Sequence, residues 1–238
     1  MKVYRTTSGP FSERPYFEAA EVENICNDEL QKVGLLPTGP EPIRIDRFIE
    51  KKFKVTFSFE DMPEGVLGYT MFGVNGVKGI AVSRELGEEN NKFSERRVNT
   101  TLAHEAGHGL LHAYLFAFDL QAKSLFGNSK DVSGSKIICR SSGIEGLQDR
   151  TDNHYSGQWW EYQANLAIGA LLLPRKLVKL ALEPLLREVG SLGCKVLEKA
   201  NRQAAINRLV DIFDVNPIVA KIRVDSLFPM EQNPLLTL

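Results

Sequence analysis

Residues 104–108 read His-Glu-Ala-Gly-His, inside the run Thr101-Leu-Ala-His-Glu-Ala-Gly-His-Gly-Leu-Leu-His112. On an α-helix, residues four apart lie on one face, one turn above the other. His104 and His108 therefore point two imidazoles at one place. Glu105 leaves the helix about 100° further round, within reach of a water held there without being a ligand itself. Two histidine ligands and an adjacent carboxylate base are the set that zinc-assisted hydrolysis of an amide requires.

A five-residue pattern also arises by chance on solvated helices, so its surroundings matter. The chain has four histidines, His104, His108, His112 and His154, and the first three fall at four-residue spacing. Their flanks are Leu102, Ala103, Leu110, Leu111, Ala113, Leu115, Phe116 and Phe118, which predicts a buried helix over about 94–118. Buried histidines and a buried glutamate are unfavourable unless paired or metal-bound. Gly107 and Gly109 each cost a helix interior about 1 kcal/mol relative to alanine. A helix that carries both is expected to be closely approached by something else.

A catalytic zinc takes three protein ligands and leaves one position open. His112 is about 12 Å along the axis from His104, too far to share one ion with both other histidines on a straight helix. It reads as a buried or capping residue. His154 sits in the polar stretch 148–157 and reads as an exposed loop histidine. Glu161 opens a second apolar helix, about 158–173 and ended by Pro174, with Asn165 one turn later on the same face. Glu161 is either a ligand, with Asn165 hydrogen-bonded behind the site, or an acid favoured by the helix N-terminus. Helix geometry leaves both open.

The pairing of His104-Glu-Ala-Gly-His108 with Glu161-x-x-Ala-Asn165 and the following Leu-Leu-Leu-Pro174 resembles the ImmA/IrrE family of zinc metallopeptidases. Gly65-Val-Leu-Gly-Tyr-Thr, Gly79-Ile-Ala-Val, Arg96-Arg97 and Ile138-Cys-Arg140 extend the resemblance over about residues 15–180. It implies His104, His108 and Glu161 as ligands of one Zn2+ per chain and Glu105 as general base. It also implies a protein or peptide substrate, such as a repressor. The long insertion at 119–157 departs from the family pattern and bears on the shape of the cleft.

The rest of the chain bounds this reading. Its 238 residues suit one domain: an arm over 1–15, a metallopeptidase-like domain over 16–190, and a C-terminal helical segment over 191–238 packed on it. A net charge of −1 gives no electrostatic case for broad nucleic-acid or membrane affinity. Cys26, Cys139 and Cys194 form no Cys-x-x-Cys pair and read as free thiols. No stretch has the length of a signal core or a membrane span, so a cytoplasmic protein is expected.

Helical spacing covers 17–34 and 45–52, strict alternation predicts a strand over 53–59, and 66–72 and 78–83 read as strands joined at Gly73–Gly76. The insertion reads as loop with short elements, and helices are expected over 175–188 and 194–226. The fold class is α+β, a small mainly antiparallel sheet beside a helical core. Residues 203–227 also have the outline of a helix-turn-helix, with Lys221 and Arg223 the cations of a recognition helix over about 217–226. Two cations are few for phosphate and base contacts, which favours a pair that completes the helical layer. Tyr114, Arg140, His154 and Tyr155 are the candidates for stabilising an oxyanion.

Overall fold

The computed structural model describes residues 2–5, 13–89, 91–115, 136–140, 159–189 and 193–230. The fold is α+β. Strands β1 (Lys2–Arg5) and β2 (Glu13–Tyr16) pair antiparallel, so the expected arm contributes a strand pair. Helix α1 (Ala19–Lys32) starts at Glu18, whose backbone N–H donates to the Glu21 carboxylate at 2.9 Å in a capping box, and buries Val22, Cys26 and Leu30 along one face. Helix α2 (Ile45–Phe53) ends where Lys54 takes a left-handed conformation.

The alternation over 53–59 is only partly realised as strand. Phe53 closes α2, and β3 is confined to Ser58–Glu60. Tertiary packing accounts for the difference. The Phe53 ring meets Phe48 edge-on and fills the notch at Gly109, where an added Cβ would lie 2.7 Å from it. Strands β4 (Val66–Gly73) and β5 (Gly76–Ser83) form the expected hairpin. A further strand, β6 (Lys136–Arg140), lies within the 119–157 insertion and pairs antiparallel with β4 at the sheet edge. The sheet runs β3-β5-β4-β6, with β3 parallel to β5 and the other pairs antiparallel.

After the short helix α3 (Arg84–Glu88) comes α4 (Lys92–Leu111), the histidine helix. The Asn91 side chain accepts from the Ser94 N–H at its N-terminus. Its regular part runs to Leu111, with His112 at the C-cap; residues 113–115 are again helical, and the expected end at Phe118 lies outside the described residues. Helix α5 (Trp159–Leu172) follows, and Pro174 caps α6 (Arg175–Leu182). The expected helices over 175–188 and 194–226 are interrupted by a hairpin, β7 (Leu186–Val189) with β8 (Cys194–Leu197), whose pairing runs from Leu186 opposite Leu197 to Val189 opposite Cys194.

Helices α7 (Arg202–Phe213) and α8 (Pro217–Leu227) complete the chain's outline of helix, turn, helix. Ala205, Leu209, Phe213, Val219, Ala220 and Val224 belong to the same buried cluster as residues of α1, α2, α4 and α5. Each large side chain fully removed from water contributes about 1.5–3 kcal/mol. Arg223, one of the two cations that the less favoured helix-turn-helix reading gave to a recognition helix, turns inward, in keeping with a pair that completes the helical layer. Its guanidinium donates to both Glu23 carboxylate oxygens at 2.7 and 2.6 Å and to the Leu173 carbonyl at 2.8 Å. A buried charge demands such pairing. Lys221 is exposed and pairs with Asp225 at 3.1 Å. Among the described residues, no helix is long and apolar enough to cross a membrane.

Candidate metal centre

The close approach expected at the glycines of α4 is present. A Cβ on Gly107 would lie 2.8 Å from the Ala167 Cβ and 3.1 Å from the Ala164 carbonyl, so α4 and α5 pack almost backbone to backbone. That contact brings the polar residues of α5 against the histidine face. His104 Nε2 lies 3.1 Å from Glu161 Oε2, and His108 Nε2 lies 3.5 Å from Glu161 Oε1. The two Nε2 atoms are 3.0 Å apart. The side-chain amide oxygen of Asn165, Oδ1, sits 3.0 Å from His104 Nδ1.

His104, His108 and Glu161 could hold a metal ion. An amide oxygen only accepts, so the Asn165 contact places a proton of His104 on Nδ1, and in the neutral ring this leaves Nε2 with its lone pair. That lone pair faces a carboxylate and a second imidazole nitrogen. Donors about 2.0–2.2 Å from one tetrahedral zinc stand about 3.3–3.6 Å from one another; the observed separations are 3.0, 3.1 and 3.5 Å, one within that range and two a few tenths of an ångström below it. Burial pushes the His108 pKa down to about 4, which keeps the imidazole neutral and able to coordinate.

Glu105 is fully buried one position beyond His104. The Thr70 hydroxyl, from β4, donates to its Oε2 at 2.6 Å, while Oε1 has no hydrogen-bond partner among the described residues. Burial raises the Glu105 pKa to about 8, against the opposing effects of His104 and the Thr70 hydrogen bond. A buried carboxyl oxygen whose lone pairs meet no donor among the described residues is suited to exchange a proton with a small polar molecule.

His112 is fully buried at the end of α4, as expected, and is not among the converging donors. Its Nδ1 contacts His108 Nδ1 at 3.0 Å, its Nε2 contacts Gln163 Oε1 at 3.0 Å, and its ring meets Trp159 edge-on. His154 and Tyr155 lie outside the described residues, as do the side chains of Arg140 and Cys139. Tyr114 is exposed. Thr70 and Gln163 are the site residues that the sequence reading did not single out. The available signal was a polar residue in an apolar context, Thr70 within Val66–Phe72, and for Gln163 its place between Glu161 and Asn165 on the same otherwise apolar helix. In comparison with known proteins, no family model and no curated protein matches the chain.

Proposed function

We propose that the chain is a zinc-dependent endopeptidase of the ImmA/IrrE kind, selective for a regulatory protein such as a repressor. The observation that carries this reading is the convergence of His104 Nε2, His108 Nε2 and the Glu161 carboxylate next to a buried Glu105, one of whose oxygens has no hydrogen-bond partner among the described residues. Zinc held by these three residues supplies Lewis acidity toward water and toward the scissile carbonyl. Glu105, whose ionised form a bound cation would favour against the burial that raises its pKa, accepts the proton of the attacking water on its carboxylate and returns it to the departing amine. Thr70 holds the other carboxylate oxygen, so the base keeps one orientation through both transfers. Asn165 fixes the His104 ring from behind.

The reading is tested by metal analysis together with cleavage of proteins in native lysate. The purified protein should carry about one zinc per chain, and His108→Ala or Glu161→Ala should lose it. Glu105→Gln should retain the zinc and the fold while cleavage falls by about 10²–10⁴-fold or more. Stoichiometric zinc in His108→Ala would refute the ligand set. Cleavage by Glu105→Gln at the parent rate would refute the base. A fully zinc-loaded protein that cuts nothing would favour a sensor or regulator that uses the same site without proteolysis.

A further inference from the structure

The geometry points to Gln163 and His112 as positioning residues that place the proton of His108 on Nδ1 and thereby bare its Nε2 toward the metal site. The inference rests on the zinc reading above and deepens it. His104 is oriented in one step by Asn165, whereas His108 is oriented through a chain of three hydrogen bonds that ends on the N-terminal strand pair.

The chain can be followed from its outer end. Gln163 Nε2 lies 2.7 Å from the carbonyl oxygen of Pro15 in β2. A carbonyl only accepts, so the NH2 group of the amide faces Pro15 and the amide oxygen faces His112. That oxygen is 3.0 Å from His112 Nε2 and also only accepts, so Nε2 carries the His112 proton. A neutral imidazole protonated on Nε2 has a bare Nδ1. This bare Nδ1 is 3.0 Å from His108 Nδ1, which must therefore be the donor. The proton of His108 is then on Nδ1 and its Nε2 is free.

The same assignment follows from the inner end. A ligating Nε2 has no proton, so a neutral His108 must be protonated on Nδ1 and needs an acceptor there. His112 Nδ1 is the atom in place. The opposite tautomer of His108 would set its Nδ1 lone pair against that of His112 at 3.0 Å in a fully buried position, whereas the two Nε2 lone pairs, also 3.0 Å apart, converge where an ion would lie between them. Gln163 is itself 3% exposed, so water does not readily stand in for it. A third histidine two turns from His104 thus serves the site without touching the ion.

The test uses the full-length protein labelled with ¹⁵N in its histidine rings. In the metal-free parent, His112 should show a protonated Nε2 and a bare Nδ1, and His108 a protonated Nδ1. Gln163→Leu removes the acceptor for His112 and should weaken zinc binding, measured by chelator competition, by about 10–100-fold. Its His108 and His112 ring signals should shift to a tautomer mixture while the backbone amide spectrum is unchanged. His112→Phe should weaken zinc in the same way, and His112→Gln, which returns a carbonyl acceptor, should recover part of the affinity. A parent spectrum with the His112 proton on Nδ1 would overturn the inference, as would zinc affinity of Gln163→Leu within twofold of the parent. If Gln163→Leu does not fold, the parent spectrum alone decides. A parent that binds no zinc would defeat the zinc reading, while the tautomers would still be read in the metal-free spectrum.

Discussion

The α4–α5 contact offers a perturbation that separates the stability of the helix pair from the integrity of the metal site. Gly107→Ala would place a methyl 2.8 Å from the Ala167 Cβ. Carbon atoms at rest stand about 3.5–4.0 Å apart, so α5 must retreat by about 1 Å. Overpacking of this kind costs about 1–3 kcal/mol, offset by about 1 kcal/mol of helix propensity gained at the glycine. The net loss of stability should be small, about 0–2 kcal/mol. The site is far less tolerant. Metal–ligand distances hold within about 0.2 Å, and Glu161 rides on the helix that moves. Zinc affinity should fall by at least the 10–100-fold typical of disturbed ligand support. The assays are chelator competition for zinc and urea denaturation of the metal-free protein. Adding Ala167→Gly removes the opposing methyl and should restore part of the affinity. A Gly107→Ala protein that holds zinc as tightly as the parent would refute the claim that this contact sets the position of Glu161.

Three further outcomes are expected. Arg223→Met strands Glu23 without its guanidinium partner, the two side chains being 8% and 11% exposed, and should lower stability by about 3–5 kcal/mol in urea denaturation; a loss under about 1 kcal/mol would show the pair to be solvated. Cys26 is buried, with its thiol pKa pushed up by desolvation, whereas Cys194 is exposed, so peptide mapping after brief alkylation at pH 8 should find Cys194 modified and Cys26 protected until the protein is unfolded; equal labelling would contradict this. In the metal-free protein, burial holds His108 at about 4 and His112 at about 3 and raises Glu105 to about 8, against ordinary values of 6.5 and 4.5. From about pH 4.5 to 6.5 the unfolded chain takes up two histidine protons while the folded chain keeps one on Glu105, a net of about one more proton bound unfolded, so stability rises with pH. From about 6.5 to 8 only the Glu105 proton on the folded side remains, and stability falls. The urea midpoint of the metal-free protein should accordingly peak near pH 6.5, and a midpoint still rising between pH 6.5 and 8 would contradict the assignment.

The histidine face was legible because helical periodicity is local: His104 and His108 share a face whatever the rest of the chain does. Burial of that face was legible too, since two mid-helix glycines require a close neighbour, found here in Ala164, Ala167 and Phe53. The sequence left Glu161 undecided between ligand and helix-terminal acid, because its role depends on which helix α5 packs against. The same long-range dependence hid Thr70 and Gln163, whose partners are 35 and 51 residues away. The β7–β8 hairpin was misread as helix because its strands are four residues each, too short for alternation to stand out between helical patterns; Gly193, at a φ of 62°, was the usable turn signal. Phe53 followed the opposite path, with a clear period-2 pattern overruled by the notch at Gly109. Arg223 looked like a surface cation since nothing nearby in sequence reveals Glu23.

The Glu23–Arg223 pair also bears on how the chain is made. Its partners are separated by 200 residues, whereas the contact between His104 and Glu161 in the candidate metal centre spans 57. Ribosomal synthesis at about 5–20 residues per second leaves Glu23 waiting about 10–40 s for its guanidinium to be synthesised. Throughout that interval α1 has an acidic residue on the face that will be buried, and its docking onto the core is disfavoured. The two helices that carry His104, His108 and Glu161 therefore emerge, and can meet, before the N-terminal helix has its final partner. The geometry of the candidate metal centre is available to a nascent chain while closure of the core waits for the last helix.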